Sequence, residues 1–145
     1  MIRSAKQDDL KKLYRLEESL FTLKEGRFTP SIFRYHFKLK NRIFVLCEGE
    51  EIAGYLLVIM YAKSARIYSL AVDSKHQGKG YGKKLCEYAI NLALKASKKS
   101  ISLEVRSSNQ KAISLYLLLG FSTQKVLSSY YGDEDGIKMK KQLMK

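Results

Sequence analysis

Residues 69–84, SLAVDSKHQGKGYGKK, carry the strongest signal in this chain. The stretch begins with an apolar run typical of a β-strand, passes through glycines at 78, 80 and 82, and continues into a segment with helical spacing of apolar residues. Because glycine lacks a Cβ atom, the alternate glycines allow a tight turn and a close approach of a ligand to the backbone. The first amides of the following helix carry partial positive charge. The stretch therefore predicts an anion site, best suited to phosphate or pyrophosphate.

Two well-known phosphate-binding loops do not match these residues. A Walker A loop requires Ser or Thr after Gly-Lys, whereas Gly82-Lys83 is followed by Lys84. A dinucleotide-binding fingerprint that starts at Gly78 requires its third glycine at position 83, which is lysine. The residues do fit a Gln-x-x-Gly-x-Gly loop that begins at Gln77. The alternative interpretation is a plain glycine turn with solvated lysines.

On both sides of the loop, the pattern of apolar residues predicts a single α/β domain over residues 1–145. Thr29-Pro30 and Asn109 are typical helix starts, and Asp8 or Asp9 is expected to cap the first helix. The predicted order is one strand, two helices, three strands, a helix, a strand, a helix and two strands, which indicates a mixed sheet covered by helices. The predicted strands are 2–5, 43–47, 52–60, 66–72, 101–105, 121–127 and 136–143.

The composition excludes several classes of protein. The chain has 145 residues, 46% hydrophobic and 28% charged, which is ordinary for one globular domain. No apolar run reaches the ~18 residues of a membrane span, and residues 1–10 lack a signal-peptide core, so we expect a cytoplasmic protein with no membrane partner. Cys47 and Cys86 form no CxxC motif and are expected to be reduced thiols. The net charge of 27 minus 14, or +13, permits binding to nucleic acid, to an anionic membrane surface or to a phosphorylated small molecule.

The loop and the strand before it resemble the GNAT superfamily of acetyl-CoA-dependent N-acetyltransferases, whose signature is a Gln/Arg-x-x-Gly-x-Gly/Ala loop between a strand and a long helix. The resemblance implies a single-domain, mostly antiparallel sheet covered by about four helices. It implies acetyl-CoA as cosubstrate and no metal. It assigns the pantetheine and acetyl contacts to Leu70, Ala71 and Val72, and the pyrophosphate contacts to Gln77, Gly78, Lys79, Gly80, Tyr81, Gly82 and Lys83.

Two further segments strengthen the resemblance. The second conserved block of the family is similar to Leu103-Glu104-Val105-Arg106 followed by Asn109, Ala112, Leu115-Tyr116 and Gly120-Phe121. The segment with Tyr130-Tyr131, Glu134-Asp135 and Met139 is similar to the C-terminal pattern of the RimI-type branch, which acetylates protein N-terminal amines. The first 40 residues carry no family motif, and the resemblance implies that substrate-recognising helices lie there.

Glu104 and Tyr116 are the candidate catalytic residues. Strand alternation places Glu104 on the face opposite Leu103 and Val105, so its carboxylate can point toward a site and act as a base, through water. Tyr116 is expected to protonate the leaving thiolate. The alternative interpretation of Glu104 is a solvated carboxylate, and that of Tyr116 is a core aromatic side chain. Asn109 is expected to cap a helix, and the resemblance adds a contact with pantetheine.

The preferred function is acetyl transfer to the N-terminal amine of a protein, with ribosomal proteins among the candidates. A lysine side chain or a small-molecule amine is the alternative acceptor. A basic nucleic-acid or ribosome-binding module without catalysis, and an acetyl-CoA sensor, are the alternatives from other classes. Four lysines, at 75, 79, 83 and 84, surround the loop and give part of the charge a small-molecule explanation, so we do not expect nucleic acid to be the main partner.

Overall fold

The computed structural model describes residues 1–21 and 27–144, which form seven strands and four α-helices. The strands are β1 (Ile2–Ser4), β2 (Ile43–Glu48), β3 (Glu51–Met60), β4 (Ser64–Val72), β5 (Ser100–Arg106), β6 (Ser122–Leu127) and β7 (Gly136–Gln142). The helices are α1 (Leu10–Leu20), α2 (Pro30–Lys38), α3 (Tyr81–Lys95) and α4 (Gln110–Leu118). The predicted order of elements is confirmed, with boundaries that differ by a few residues.

All seven strands belong to one sheet, in the order β1-β2-β3-β4-β5-β7-β6. The pairs β1/β2, β2/β3, β5/β7 and β6/β7 are antiparallel. The pair β4/β5 is parallel, from Ser64 to Ile67 on one strand and from Ser100 to Leu103 on the other. A parallel pair needs a crossover connection, which the segment containing α3 supplies. The predicted mixed, mostly antiparallel sheet is therefore confirmed.

Local capping groups explain two of the helix starts. The Thr29 hydroxyl accepts the backbone N–H of Ile32 at 3.3 Å, and Pro30 occupies the first helical position. The Asn109 side chain likewise accepts the N–H of Ala112 at 3.2 Å. Asp9 precedes α1 as predicted but does not cap it with its side chain. Its carboxylate instead accepts hydrogen bonds from the Lys6 N–H and the Arg3 guanidinium.

The chain forms two compact units, of which the first comprises Met1–Leu57 and Ser69–Cys86. Its core contains a carboxylate on α1, because Glu17 is only 2% exposed. Oε1 of Glu17 accepts the hydroxyl of the fully buried Tyr55 at 2.5 Å, and Oε2 accepts the N–H of Phe28 at 2.9 Å. The Tyr55 hydroxyl is also 2.7 Å from Oγ of Ser69. Burial raises the pKa of Glu17 more than these hydrogen bonds lower it.

The second unit comprises Val58–Tyr68 and Glu87–Lys145. Ile101, Leu103 and Val105 of β5 are buried, so the alternate residues of this strand face the other side of the sheet. Glu104 is one of these alternate residues, as the sequence predicted. Neither Cys47 nor Cys86 forms a disulfide within the described part of the chain, and Cys86 is buried while Cys47 is partly exposed. Among the described residues, no helix is long and apolar enough to cross a membrane.

Candidate active site

The glycine-rich loop lies in the first unit, between β4 and α3. Gly78 and Gly80 have φ angles of +83° and +79°, a conformation that side chains with a Cβ atom rarely adopt. No atom outside the adjacent residues lies within 4 Å of the position that a Cβ would occupy at either glycine. Helix α3 begins at Tyr81, so its first-turn N–H groups have no intrahelical acceptor. The loop thus combines open backbone with a helix N-terminus, as an anion site requires.

Two of the loop lysines are paired with carboxylates at the turn between β2 and β3. Lys79 Nζ lies 3.1 Å from Glu48, and Lys75 Nζ lies 2.7 Å from Glu51. The Tyr81 hydroxyl donates to Glu48, which raises the pKa of Tyr81. Sequence reasoning predicted the turn and the lysines but missed these ion pairs, because the partners are separated by 24 and 31 residues. The charges of Lys79 and Lys75 are therefore partly neutralised within the protein.

A histidine joins the same group of charges. His76 is buried, and its Nε2 lies 3.0 Å from Glu51 Oε1, the oxygen that also contacts Lys75. The Lys75 and His76 contacts together lower the pKa of Glu51 to about 2. Glu51, Asp73 and His76 each place a possible metal-ligand atom within 4.8 Å of the others. The Lys75 ammonium group contacts the same Glu51 oxygen as His76. The cluster therefore has the geometry of an ion-pair network.

The strand residues assigned to pantetheine run beside β3. The Asp73 N–H donates to the Ala53 carbonyl at 2.8 Å, and a Cβ on Gly54 would lie only 2.7 Å from the carbonyl oxygen of Ala71. Position 54 therefore requires glycine for the close approach of the two strands. The side chain of Gln77 donates to the Val72 carbonyl at 3.3 Å and so links the loop to the end of β4.

In the second unit, Glu104 is held by an arginine that the sequence analysis did not select. Arg66 of β4 places Nη2 at 2.6 Å and Nε at 2.8 Å from the same oxygen, Oε1 of Glu104. Among the described residues, no protein donor contacts Oε2 of Glu104. Burial alone would lower the pKa of Arg66, but the charge of Glu104 and its hydrogen bond raise it above the usual range. Arg66 thus holds one carboxylate oxygen of Glu104, and the other oxygen stays available.

Arg66 also connects Glu104 to two tyrosines. Its Nη2 donates to the Tyr130 hydroxyl at 3.3 Å, and its guanidinium carbon lies 4.9 Å from the centre of the Tyr68 ring. Tyr130 and Tyr131 pack edge to face, with ring centres 4.9 Å apart. Burial, followed by the nearby Tyr130 and Glu104, raises the pKa of Tyr131 to about 12, so this hydroxyl remains protonated at neutral pH.

The acidic residues after these tyrosines stabilise their loop. Glu134 accepts hydrogen bonds from the Ser107 hydroxyl and the Ser108 N–H, and it pairs with Arg106 at 3.3 Å. The Arg106 guanidinium also lies 4.5 Å from the centre of the Tyr131 ring. Glu134 thus has protein partners for its carboxylate and holds this loop against the end of β5.

Asn109 and Tyr116, the remaining predicted site residues, belong to the second unit with Glu104. Asn109 caps α4 through its side chain, as predicted. Tyr116 is 8% exposed and packs edge to face against Phe121, with ring centres 5.8 Å apart. Tyr116 therefore has the core packing role that was one alternative for it. Its role as an acid depends on its hydroxyl group and stays a prediction.

The fold and the glycine-rich loop define a class of enzyme once the chain is compared with known families. The sequence model described as "Acetyltransferase (GNAT) family" matches residues 8–121, which include the loop, Glu104 and Tyr116. The match covers well over half of the chain, so the protein belongs to the GNAT family and is an acetyltransferase.

Individual relatives narrow the similarity to one kind of acetyltransferase. A ribosomal protein bS18-alanine N-acetyltransferase from Haemophilus ducreyi is 28% identical over 138 residues, 94% of this chain and 92% of that protein. The protein of the same name from Escherichia coli strain K12 is 33% identical over 93 residues, 64% of this chain and 63% of that protein. The crystal structure of the ribosomal-protein-S18-alanine N-acetyltransferase from Escherichia coli matches with a TM-score of 0.87 and 28% identity, over 100% of this chain and 94% of that one. The resemblance to the branch that acetylates protein N-terminal amines is confirmed.

Proposed function

We propose that this protein transfers the acetyl group of acetyl-CoA to the N-terminal α-amine of a protein, in the cytoplasm, with residues 1–145 acting as one domain. The observation that carries the proposal is the Glu104 carboxylate, which Arg66 holds through one oxygen while the other has no donor among the described residues. The relatives named bS18-alanine N-acetyltransferases support this acceptor. A ribosomal protein is therefore the first acceptor to test.

The chemistry requires an unprotonated amine and a proton for the departing thiolate. An α-amine has a pKa of ~8 and a lysine amine ~10.4, so the α-amine is the easier nucleophile at neutral pH. Glu104 accepts the amine proton through water, the nitrogen attacks the thioester carbonyl, and the carbon–sulfur bond breaks. Tyr116 then protonates the thiolate of CoA. The transfer is direct, because Cys47 and Cys86 both lie outside the conserved block that contains Glu104 and Tyr116.

The cosubstrate contacts follow from the family and from the loop. The backbone amides of residues 77–83 hold the pyrophosphate, helped by the positive end of α3. The backbone of residues 70–72 pairs with the pantetheine arm, and Asn109 adds a contact to it. The open space beside Gly78 and Gly80 supports this assignment, because a phosphate oxygen can reach the loop backbone there. Neither the base nor the acid in this scheme needs a metal, and we propose none.

The acceptor is tested with peptides that differ only in their amines. One peptide has a free α-amine and no lysine, the second has a blocked α-amine and one lysine, and the third has neither amine. Release of free thiol from acetyl-CoA and the mass of the product are measured for each. We expect transfer to the first peptide. Transfer confined to the second would replace the α-amine by a lysine side chain, and the absence of transfer to any amine would refute the proposal.

The role of Tyr116 is tested by removing its hydroxyl. Tyr116→Phe keeps the ring against Phe121 and should lower kcat about 10²-fold or more, the usual range for a general acid, with little change in CoA affinity. Tyr35→Phe is the matched control, because Tyr35 is 61% exposed on α2. An unchanged kcat in Tyr116→Phe would leave Tyr116 with its packing role alone.

A further inference from the structure

The second unit has a group of lysines on the sheet face that carries Glu104. In the β5/β7 ladder, Glu104 lies opposite Lys138 and Ser102 lies opposite Lys140. In the β6/β7 ladder, Lys125 lies opposite Lys138. Directly opposite residues of an antiparallel pair point to the same side of the sheet. Lys125, Lys138 and Lys140, hereafter the lysine face, are therefore on the same side as Glu104.

The lysine face has no anionic partner in the part of the chain that the structure describes. Among the described residues, none of its three ammonium groups forms an ion pair. Glu104 lies opposite Lys138, but its carboxylate contacts Arg66 instead. Lys125 and Lys138 are like charges in directly opposite positions, which destabilises a sheet. Lys125 is exposed, and Lys138 and Lys140 are partly exposed, so all three charges are accessible to an external anion.

We propose that the lysine face binds an acidic segment of the acceptor polypeptide, at its second to fourth residues. This inference rests on the proposed function, because it places the reacting α-amine beside Glu104. Opposite residues in a ladder are about 5 Å apart, and a strand rises about 3.4 Å per residue. Lys138 and Lys140 are therefore within reach of the first few residues that follow an amine at Glu104. Aspartate or glutamate at these positions neutralises lysines that have no ion pair with any described residue.

The position of the lysine face favours a peptide over a nucleic acid as its partner. The lysines share their sheet face with the proposed base, where a protein acceptor has to lie while it reacts. A nucleic acid on the same surface would occupy the place of the acceptor. Binding of RNA is therefore an outcome that the experiment has to separate.

The test compares acceptor peptides that share the same first residue and differ at residues 2–4. These are acidic in the first peptide, Gln and Asn in the second, and Lys in the third. We expect kcat/KM to favour the acidic over the neutral peptide by about tenfold at low salt, and this preference should shrink as ionic strength rises. In a variant that combines Lys125→Gln, Lys138→Gln and Lys140→Gln, the ratio should fall to about one.

The matched control variant combines Lys63→Gln, Lys95→Gln and Lys99→Gln. These lysines are exposed in the same unit, and the variant loses the same total charge. It should keep the acidic preference, and circular dichroism checks that both variants are folded. Equal kcat/KM for acidic and neutral peptides in the wild type would overturn the proposal. So would a preference that survives in the lysine-face variant or disappears equally in the control.

Two further measurements separate the remaining possibilities. Fluorescence anisotropy with a labelled 20-nucleotide RNA measures whether the lysine face binds nucleic acid. The proposal would be overturned if RNA binding required these lysines and the enzyme showed no preference for the acidic peptide. Calorimetry measures binding of the acidic peptide directly. If that binding depends on the lysine face but no peptide is acetylated, the proposed function fails and the docking surface stands.

Discussion

Removal of Arg66 should destabilise the second unit and impair catalysis through Glu104. The side chains of Glu104 and Arg66 are 12% and 26% exposed, and two N–H groups contact one carboxylate oxygen at 2.6 and 2.8 Å. Hydrogen bonds to charged groups contribute about 1.5–3 kcal/mol. Solvent reaches Arg66 in part, so we expect Arg66→Met to lower the free energy of unfolding by about 2 kcal/mol. For a chain of this size, that loss corresponds to a Tm lower by about 4–8 °C.

A double-mutant cycle isolates the Arg66–Glu104 pair. The free energy of unfolding is measured by urea denaturation for Arg66→Met, for Glu104→Gln and for the variant that combines them. If the ion pair is the source of the effect, the two changes should be strongly non-additive, with a coupling of about 1–2 kcal/mol. Arg15→Met serves as the control for loss of an arginine, because Arg15 is exposed on α1. A coupling below about 0.5 kcal/mol, within the additivity of independent sites, would refute this account of the pair.

The same variants report on catalysis. Arg66 fixes the orientation of Glu104, so Arg66→Met should lower kcat by about tenfold or more if Glu104 is the base. In the Glu104→Gln background, Arg66→Met should not lower kcat further, because the carboxylate that Arg66 orients is already absent. An equal loss of kcat from Arg66→Met in both backgrounds would show that Arg66 acts independently of Glu104.

Three further predictions concern the first unit. Burial raises the pKa of folded Glu17 above its usual 4.5, so the unfolded chain releases this proton first as pH rises. Glu17 therefore makes the protein less stable as pH increases from 4.5 through its folded pKa. In urea denaturation, Glu17→Gln should gain stability relative to wild type as pH increases above 4.5. Gly54→Ala should cost about 1–3 kcal/mol, because its Cβ would meet the Ala71 carbonyl, and thermal melts measure this loss. Gly80→Ala should cost about 1–2 kcal/mol from its positive φ angle alone, and it should weaken CoA binding in calorimetry.

Each of these predictions has an outcome that contradicts it. A stability difference between Glu17→Gln and wild type that does not change with pH would mean that Glu17 has no shifted titration. Gly49→Ala is the control for Gly80→Ala, because Gly49 also has a positive φ and open space around it but lies in the turn between β2 and β3. Equal CoA affinity in Gly80→Ala and Gly49→Ala would remove the loop from the cosubstrate site. A wild-type melting temperature in Gly54→Ala would show that β3 and β4 can separate without cost.

Local signals in the sequence predicted the elements well. Thr29 and Asn109 cap helices with their own side chains, Pro30 follows at the first helical position, and alternation along β5 placed Glu104 on its face correctly. These signals depend on residues within four positions of one another. The insertion of β7 between β5 and β6 had no such signal, because strand order depends on the packing of distant segments.

Sequence reasoning missed the contacts of Arg66 and Glu17 because they too depend on the packing of distant segments. Arg66 and Glu104 are 38 residues apart, and only the parallel pairing of β4 with β5 brings them together. Glu17 and Tyr55 are likewise 38 residues apart, and a carboxylate on an amphipathic helix gives no sign that it is buried. Charge partners of this kind require the register of the sheet and the packing of the helices, which the order of elements alone does not determine.

The pairing of Lys79 with Glu48 has a consequence for the loop as an anion receptor. Lys79 already has a counter-ion, supplied by the turn between β2 and β3. Any phosphate that binds this lysine must exchange with a carboxylate of the protein itself, and Glu48 would return to water when it is displaced. The contribution of Lys79 to affinity is then the difference between two anions, so Glu48→Gln should tighten the binding of CoA as measured by calorimetry, and unchanged or weaker binding would exclude this exchange.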